Sequence, residues 1–94
     1  MATWTFLTNH GAVLMLIARH SQITTRSMAE MLGITERLIH RILGDLETDG
    51  YLSKQRVGRV NYYQVHIEQP LRRPVIEDMT VGEMLQGFGV RTQT

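Results

Sequence analysis

The chain contains no cysteine. That excludes disulfides, thiolate zinc sites and cysteine nucleophiles, and it fits a reducing compartment. Long hydrophobic runs are missing too. The longest, Ala12 to Ala18, ends at Arg19-His20, well short of the roughly 18 residues that mark a membrane helix. The N-terminus has neither the basic start nor the small-residue cleavage site of a signal peptide. The expected compartment is therefore the cytoplasm, with no membrane partner. Catalytic motifs are absent: there is no Gly-rich phosphate loop, no nucleophile elbow and no His-Glu-x-x-His. The acidic pair Glu77-Asp78 falls in a linker and reads as solvated rather than catalytic. His10, His20, His40 and His66 fall on different elements and do not form a metal-ligand spacing. The expectation is a protein with no catalytic residues, no metal and no cofactor.

What is present bounds the class. A length of 94 residues suits one domain. In a chain this short a deep pocket competes with the core for residues. A hydrophobic fraction of 43% is too high for a disordered chain. Net charge is only +1, but the signs are segregated. Residues 1–29 carry Arg19 and Arg26 and no acid, and residues 51–67 carry Lys54, Arg56 and Arg59 and no acid. The acids gather at Asp45, Glu47 and Asp49 and in the segment from Glu68 to Asp78. A weakly charged chain arranged in this way can still present a positive face.

Thr8 or Asn9 can cap a first helix that runs to about Arg19-His20. Gln22-Ile23-Thr24 suits a brief strand. Thr25 then suits the cap of a second helix, Arg26 to Leu32, ended by Gly33. Thr35 caps a third helix only two residues later, and so short a link forces a sharp interhelical angle. In that helix, about Glu36 to Thr48, Ile39, Leu43 and Leu46 make an apolar side. Arg37, His40, Arg41 and Gly44 fall on the other. Inside a helix Gly44 costs about 1 kcal/mol relative to alanine; it fits either a close approach to another backbone or simple tolerance. Tyr51 to Val57 and Val60 to Ile67 read as strands joined at Gly58, with Tyr63 and Val65 facing inward. Pro70 and Pro74 interrupt regular structure. Thr80-Val81-Gly82-Glu83 matches a capping box that opens a last helix to about Phe88, with an apolar stripe of Met84, Leu85 and Phe88. The fold class expected is α+β: a winged helix-turn-helix with a three-helix core, a small antiparallel β-wing and an extra C-terminal helix. The expected organisation is a single winged-helix domain over residues 1–94, with a core at 8–67 and a linker and short helix at 68–94.

At this point the sequence resembles the winged helix-turn-helix regulators of the MarR and ArsR type. Thr35 to Glu47 looks like their recognition helix, Asp49-Gly50-Tyr51-Leu52 is similar to the entry into their wing, and Arg56 to Val65 looks like the wing hairpin. The flanks, Trp4 to His10 and His66 to Pro74, also look like a small bacterial subgroup of such regulators. The resemblance implies base-edge readers at Thr35, Arg37, His40 and Arg41, of which arginine pairs with guanine through two donors. It implies phosphate contacts from Thr25 and Arg26 at the start of helix two. Lys54, Arg56 and Arg59 would follow the flanking backbone from the wing. Glu36 suits either a cytosine amino group or the helix N-terminus. Leu38 suits either a thymine methyl or packing against helix two.

The implied function is a sequence-specific, double-stranded DNA-binding transcriptional regulator. Its recognition helix, residues 35–49, enters the major groove and its basic wing, residues 52–66, lies on the flanking backbone. The implied assembly is a homodimer; a small-molecule effector is unknown. MarR-type proteins pair through long terminal helices, whereas here only Trp4 and Phe6 at one end and Met84, Leu85 and Phe88 at the other are available. Trp4 and Phe6 suit either core packing or a subunit anchor. The six methionines read as core filling. His40 reads as an exposed polar reader or spectator rather than a pH switch. The rival reading is a winged-helix protein–protein interaction module, which predicts an apolar surface on helix three and no salt-sensitive affinity for DNA.

Overall fold

Four threonines start the four helices of the computed structural model, which describes residues 5–20, 22–72 and 78–90. The hydroxyls of Thr8, Thr24, Thr35 and Thr80 accept the backbone N–H groups of Gly11, Ser27, Leu38 and Glu83. Each satisfies a first-turn donor that has no partner within its own helix. The helices are α1 (Asn9–Arg19), α2 (Thr25–Leu32), α3 (Glu36–Thr48) and α4 (Val81–Gly87). Between α3 and α4 come β1 (Leu52–Val57) and β2 (Val60–Val65), paired antiparallel. This is the winged helix architecture with a C-terminal helix that the sequence predicts.

The start of α2 differs from expectation by one residue. Thr24 keeps an extended backbone and caps, while Thr25 is already helical. Two adjacent threonines are equally good caps by chemistry. The Thr25 hydroxyl is then free to donate to the Glu36 carboxylate at 3.3 Å, tying the first turns of α2 and α3 together. The brief strand expected at Gln22 to Thr24 does not form. Among the described residues the β pairing is the β1–β2 ladder and a bridge between Pro70 and Thr80. Gly33 ends α2 at φ +68°, a left-handed conformation that costs a residue with a Cβ free energy. The α2–α3 link is therefore as short as the sequence predicts.

The core lies where α1, α2 and α3 meet under the base of the hairpin. Val13, Ile17, Met28, Ile39 and Ile42 are almost fully buried there, and Leu52 and Tyr63 bring in the wing. Leu38 is half-buried against this cluster, so it packs rather than points outward. The strands are shorter than expected. Tyr51 precedes β1 as a bend, and Ile67 lies beyond β2.

The linker after β2 is held closely by α4. Gly82 N–H donates to the Ile67 carbonyl at 2.8 Å and Val81 N–H to the Gln69 carbonyl at 2.8 Å. The Tyr51 hydroxyl donates to the Pro70 carbonyl. A Cβ on residue 82 would lie 3.1 Å from both the Cβ and the carbonyl oxygen of Ile67, so the approach depends on glycine. The capping box is complete, with the Glu83 carboxylate accepting the Thr80 N–H at 3.0 Å. The apolar side of α4 is the expected one at Leu85 and Met84 but not at Phe88. Val81 and Leu85 point into the core, Met84 is half-buried, and Phe88 is the C-cap, 55% exposed. Pro74, Glu77 and Trp4 lie outside the described residues.

Candidate nucleic-acid interface

An α-helix turns by about 100° per residue, and that period sorts α3 into two arcs. Ile39, Ile42, Leu43 and Leu46 are buried, while Arg37, His40, Arg41, Gly44 and Thr48 are exposed along the opposite side. Asp45 and Asp49 lie further round. There Asp45 meets His10 of α1 at 2.8 Å, and Asp49 meets Arg72 of the linker. Asp45 and Asp49 are thus engaged by partners from other elements rather than by the arginines of α3, and Glu36 is engaged by the Thr25 hydroxyl. Glu47, half-buried beside the wing, is the exception. Among the described residues neither Arg37 nor Arg41 has an ion-pair partner.

The hairpin register decides where the wing cations lie. Lys54 pairs with Tyr63 and Arg56 with Asn61, in the same alternating set as Leu52 and Val65. Side chains two apart on a strand share a face, so Lys54 and Arg56 lie on the face that reaches α3 at its base. Ser53, Gln55, Tyr62 and Gln64 take the outer face. Arg59 sits in the turn beside Gly58. The Arg56 guanidinium folds back to donate to the Gly58 carbonyl at 3.1 Å, whereas Lys54 and Arg59 are exposed and without an ion pair among the described residues.

Between α3 and this inner face runs a cleft of about 570 Å³. Thr24 and Thr25 of α2, His40 and Gly44 of α3, and Lys54, Arg59 and Asn61 of the wing all line it. Tyr63 forms part of its base. Burial holds the Tyr63 hydroxyl above its ordinary pKa, the Glu47 carboxylate pushes the same way, and a hydrogen bond with Asn61 acts in the opposite direction. A tyrosine shifted upward remains neutral at physiological pH and adds no negative charge beneath the cations. Asn61 was not singled out by the sequence. The signal is its register opposite Arg56, which is readable once the turn at Gly58 fixes the pairing.

The three-helix part of the chain, from α1 to the end of α3, matches a known sequence pattern. The winged helix-turn-helix DNA-binding family matches residues 7–53. The chain belongs to that family. A relative is an uncharacterized protein of Methanocaldococcus jannaschii, 32% identical over 59 residues. The match covers 62% of this chain and 13% of that protein, so the chain spans only a small part of its relative's length. Among solved structures, T. potens IscR superposes with a TM-score of 0.61 at 14% identity, covering 98% of this chain and 95% of that one. At that identity the likeness is one of fold.

The remaining sequence-predicted site residues divide by position. Thr35 is exposed as the α3 cap. Arg26 is exposed at the start of α2 and meets Glu30 one turn later at 3.3 Å. Glu36 occupies the first turn of α3, where a carboxylate suits the positive end of the helix dipole. Of the residues expected at a subunit interface, Phe6 is 90% exposed and lines an apolar groove of about 530 Å³ together with Met84. Leu85 is 0% exposed, so this chain's own core has already used it, and the expectation that it contacts a partner is corrected. No helix among the described residues is long and apolar enough to cross a membrane.

Proposed function

We propose that this winged helix-turn-helix chain is a sequence-specific, double-stranded DNA-binding transcriptional regulator. Residues 35–49 enter the major groove and the wing, residues 52–66, lies on the flanking backbone. The observation that carries this reading is the exposed arc of α3, where Arg37, His40 and Arg41 stand together without an ion-pair partner among the described residues. Unpaired guanidiniums on a groove-sized helix suit bidentate pairing with guanine. A protein-docking helix of the same fold would carry an apolar arc at these positions. The likeness of α3 and the hairpin to MarR- and ArsR-type regulators supports a regulatory role rather than a purely architectural one.

The protein acts as a homodimer on a pseudo-palindromic site, joined through the groove that carries Phe6 and Met84, with Phe88 exposed on the following cap. Two-fold symmetry then sets the two α3 helices about one DNA turn apart, roughly 34–36 Å. Selection of bound duplexes from a random-sequence pool tests both parts. The expected product is an inverted repeat with that half-site spacing. An unpaired half-site would remove the dimer and keep the regulator; no enrichment at all would remove sequence-specific binding. For the wing, Arg59→Ala is expected to weaken binding to every duplex by a similar factor. It should also lower the slope of log affinity against log salt by about 1, because one phosphate contact is lost. A loss confined to the selected site would make Arg59 a base reader instead.

A further inference from the structure

Gly44 has no structural reason to be glycine. It sits in the interior of α3, where glycine destabilises a helix relative to alanine. Its φ is not positive, unlike those of Gly33, Gly50, Gly58 and Gly89. A Cβ at position 44 would meet nothing within 4 Å, whereas one at position 82 would press on Ile67. Gly87 is equally unhindered, but it is the last residue of its helix, where propensity weighs little. The free protein thus carries an avoidable weakness in its recognition helix, at a position with open space for a Cβ.

Its location supplies what the free protein lacks. Gly44 lies one turn beyond His40 and Arg41 on the exposed arc, and it lines the cleft between α3 and the wing. Cations stand on both walls there, His40 when protonated and Lys54 and Arg59 always, with the hydroxyl of Thr25 and the amide of Asn61 beside them. A duplex read by α3 in its major groove and touched by the wing alongside must pass one sugar-phosphate strand between the two elements. The carboxylate of Glu47 lies further along the cleft and repels a phosphate, so the crossing point falls at Gly44.

We propose that the α3–wing cleft seats one phosphodiester segment of bound DNA, and that residue 44 is glycine because that segment crosses the helix in contact with its backbone. The inference rests on the duplex binding proposed above and adds a seat and a cause for it. A contact with sugar and phosphate carries no sequence information, so its loss weakens all duplexes alike.

The test pairs thermal unfolding with fluorescence anisotropy on a labelled mixed-sequence duplex, using the full chain. Gly44→Ala should raise Tm by about 4–8 °C, because the helix strengthens, and should weaken duplex binding by about tenfold. Gly44→Gln, with a longer side chain, should weaken it by about a hundredfold while staying folded. If the wild-type chain binds duplex and both variants bind equally well, the seat is overturned and the DNA-binding function stands. If the wild-type chain does not bind duplex, the function beneath it falls as well.

Discussion

Replacing Arg37, Arg41 and Arg59 together by alanine is expected to lower affinity for the selected duplex by about a thousandfold or more. Each arginine that reads a base contributes roughly 1–3 kcal/mol, and the wing residue adds a phosphate contact. All three are exposed and none is in an ion pair among the described residues. Their removal strands no carboxylate, so Tm should change little. Two single variants divide the effect. Arg37→Ala or Arg41→Ala should relax discrimination at one base pair, whereas Arg59→Ala should leave sequence preference intact. Duplex binding that survives the triple substitution unchanged, as read by anisotropy at moderate salt, would refute the α3-and-wing interface.

Leu85→Ala is expected to cost about 2–5 kcal/mol, and Tm should fall by about 10 °C or more. Set against a typical stability of about 5–15 kcal/mol, this is a large fraction. Leu85 is completely buried in the same cluster as Val13, Ile39 and Ile42, although it belongs to the last helix. Phe88→Ala, three residues later, removes a larger side chain that is mostly in solvent and should move Tm by only a degree or two. Urea unfolding followed by far-UV circular dichroism reports both. A single cooperative transition that shifts only with Leu85 would establish α4 as part of the domain. A separate early transition would make α4 an independent appendage.

The parts legible in the sequence are those written in local chemistry. Thr35, the four-and-three spacing of Ile39, Leu43 and Leu46, and the stop at Gly50 sit within a few residues of one another and fix α3 to the residue. The wing is equally legible because Gly58 marks its turn and both strands alternate from there. The boundary of α2 is ambiguous in sequence because the adjacent Thr24 and Thr25 compete for one role, and only the backbone conformation of Thr24 decides. The side of α4 that faces inward is legible at Met84 and Leu85 but not at its two ends. Seven residues make barely two turns, and the choice between Val81 and Phe88 depends on how closely Gly82 approaches Ile67, which lies fifteen positions away. Within the site, the cations were found by type and spacing, while Asn61 and the pairing of Asp45 and Asp49 with His10 and Arg72 required the folded chain.

The engagement of those two aspartates by His10 and Arg72, rather than by Arg37 and Arg41, has a consequence for how the protein meets DNA. With a net charge of +1 the molecule feels little overall pull from a distant polyanion. Its free arginines and its engaged aspartates nevertheless centre on different arcs of one helix, so the field of the DNA exerts a torque on the molecule. Encounter is then governed by rotation more than by attraction. The molecule should arrive slowly for a DNA binder yet already oriented, and added salt should first reduce the fraction of collisions that are productive.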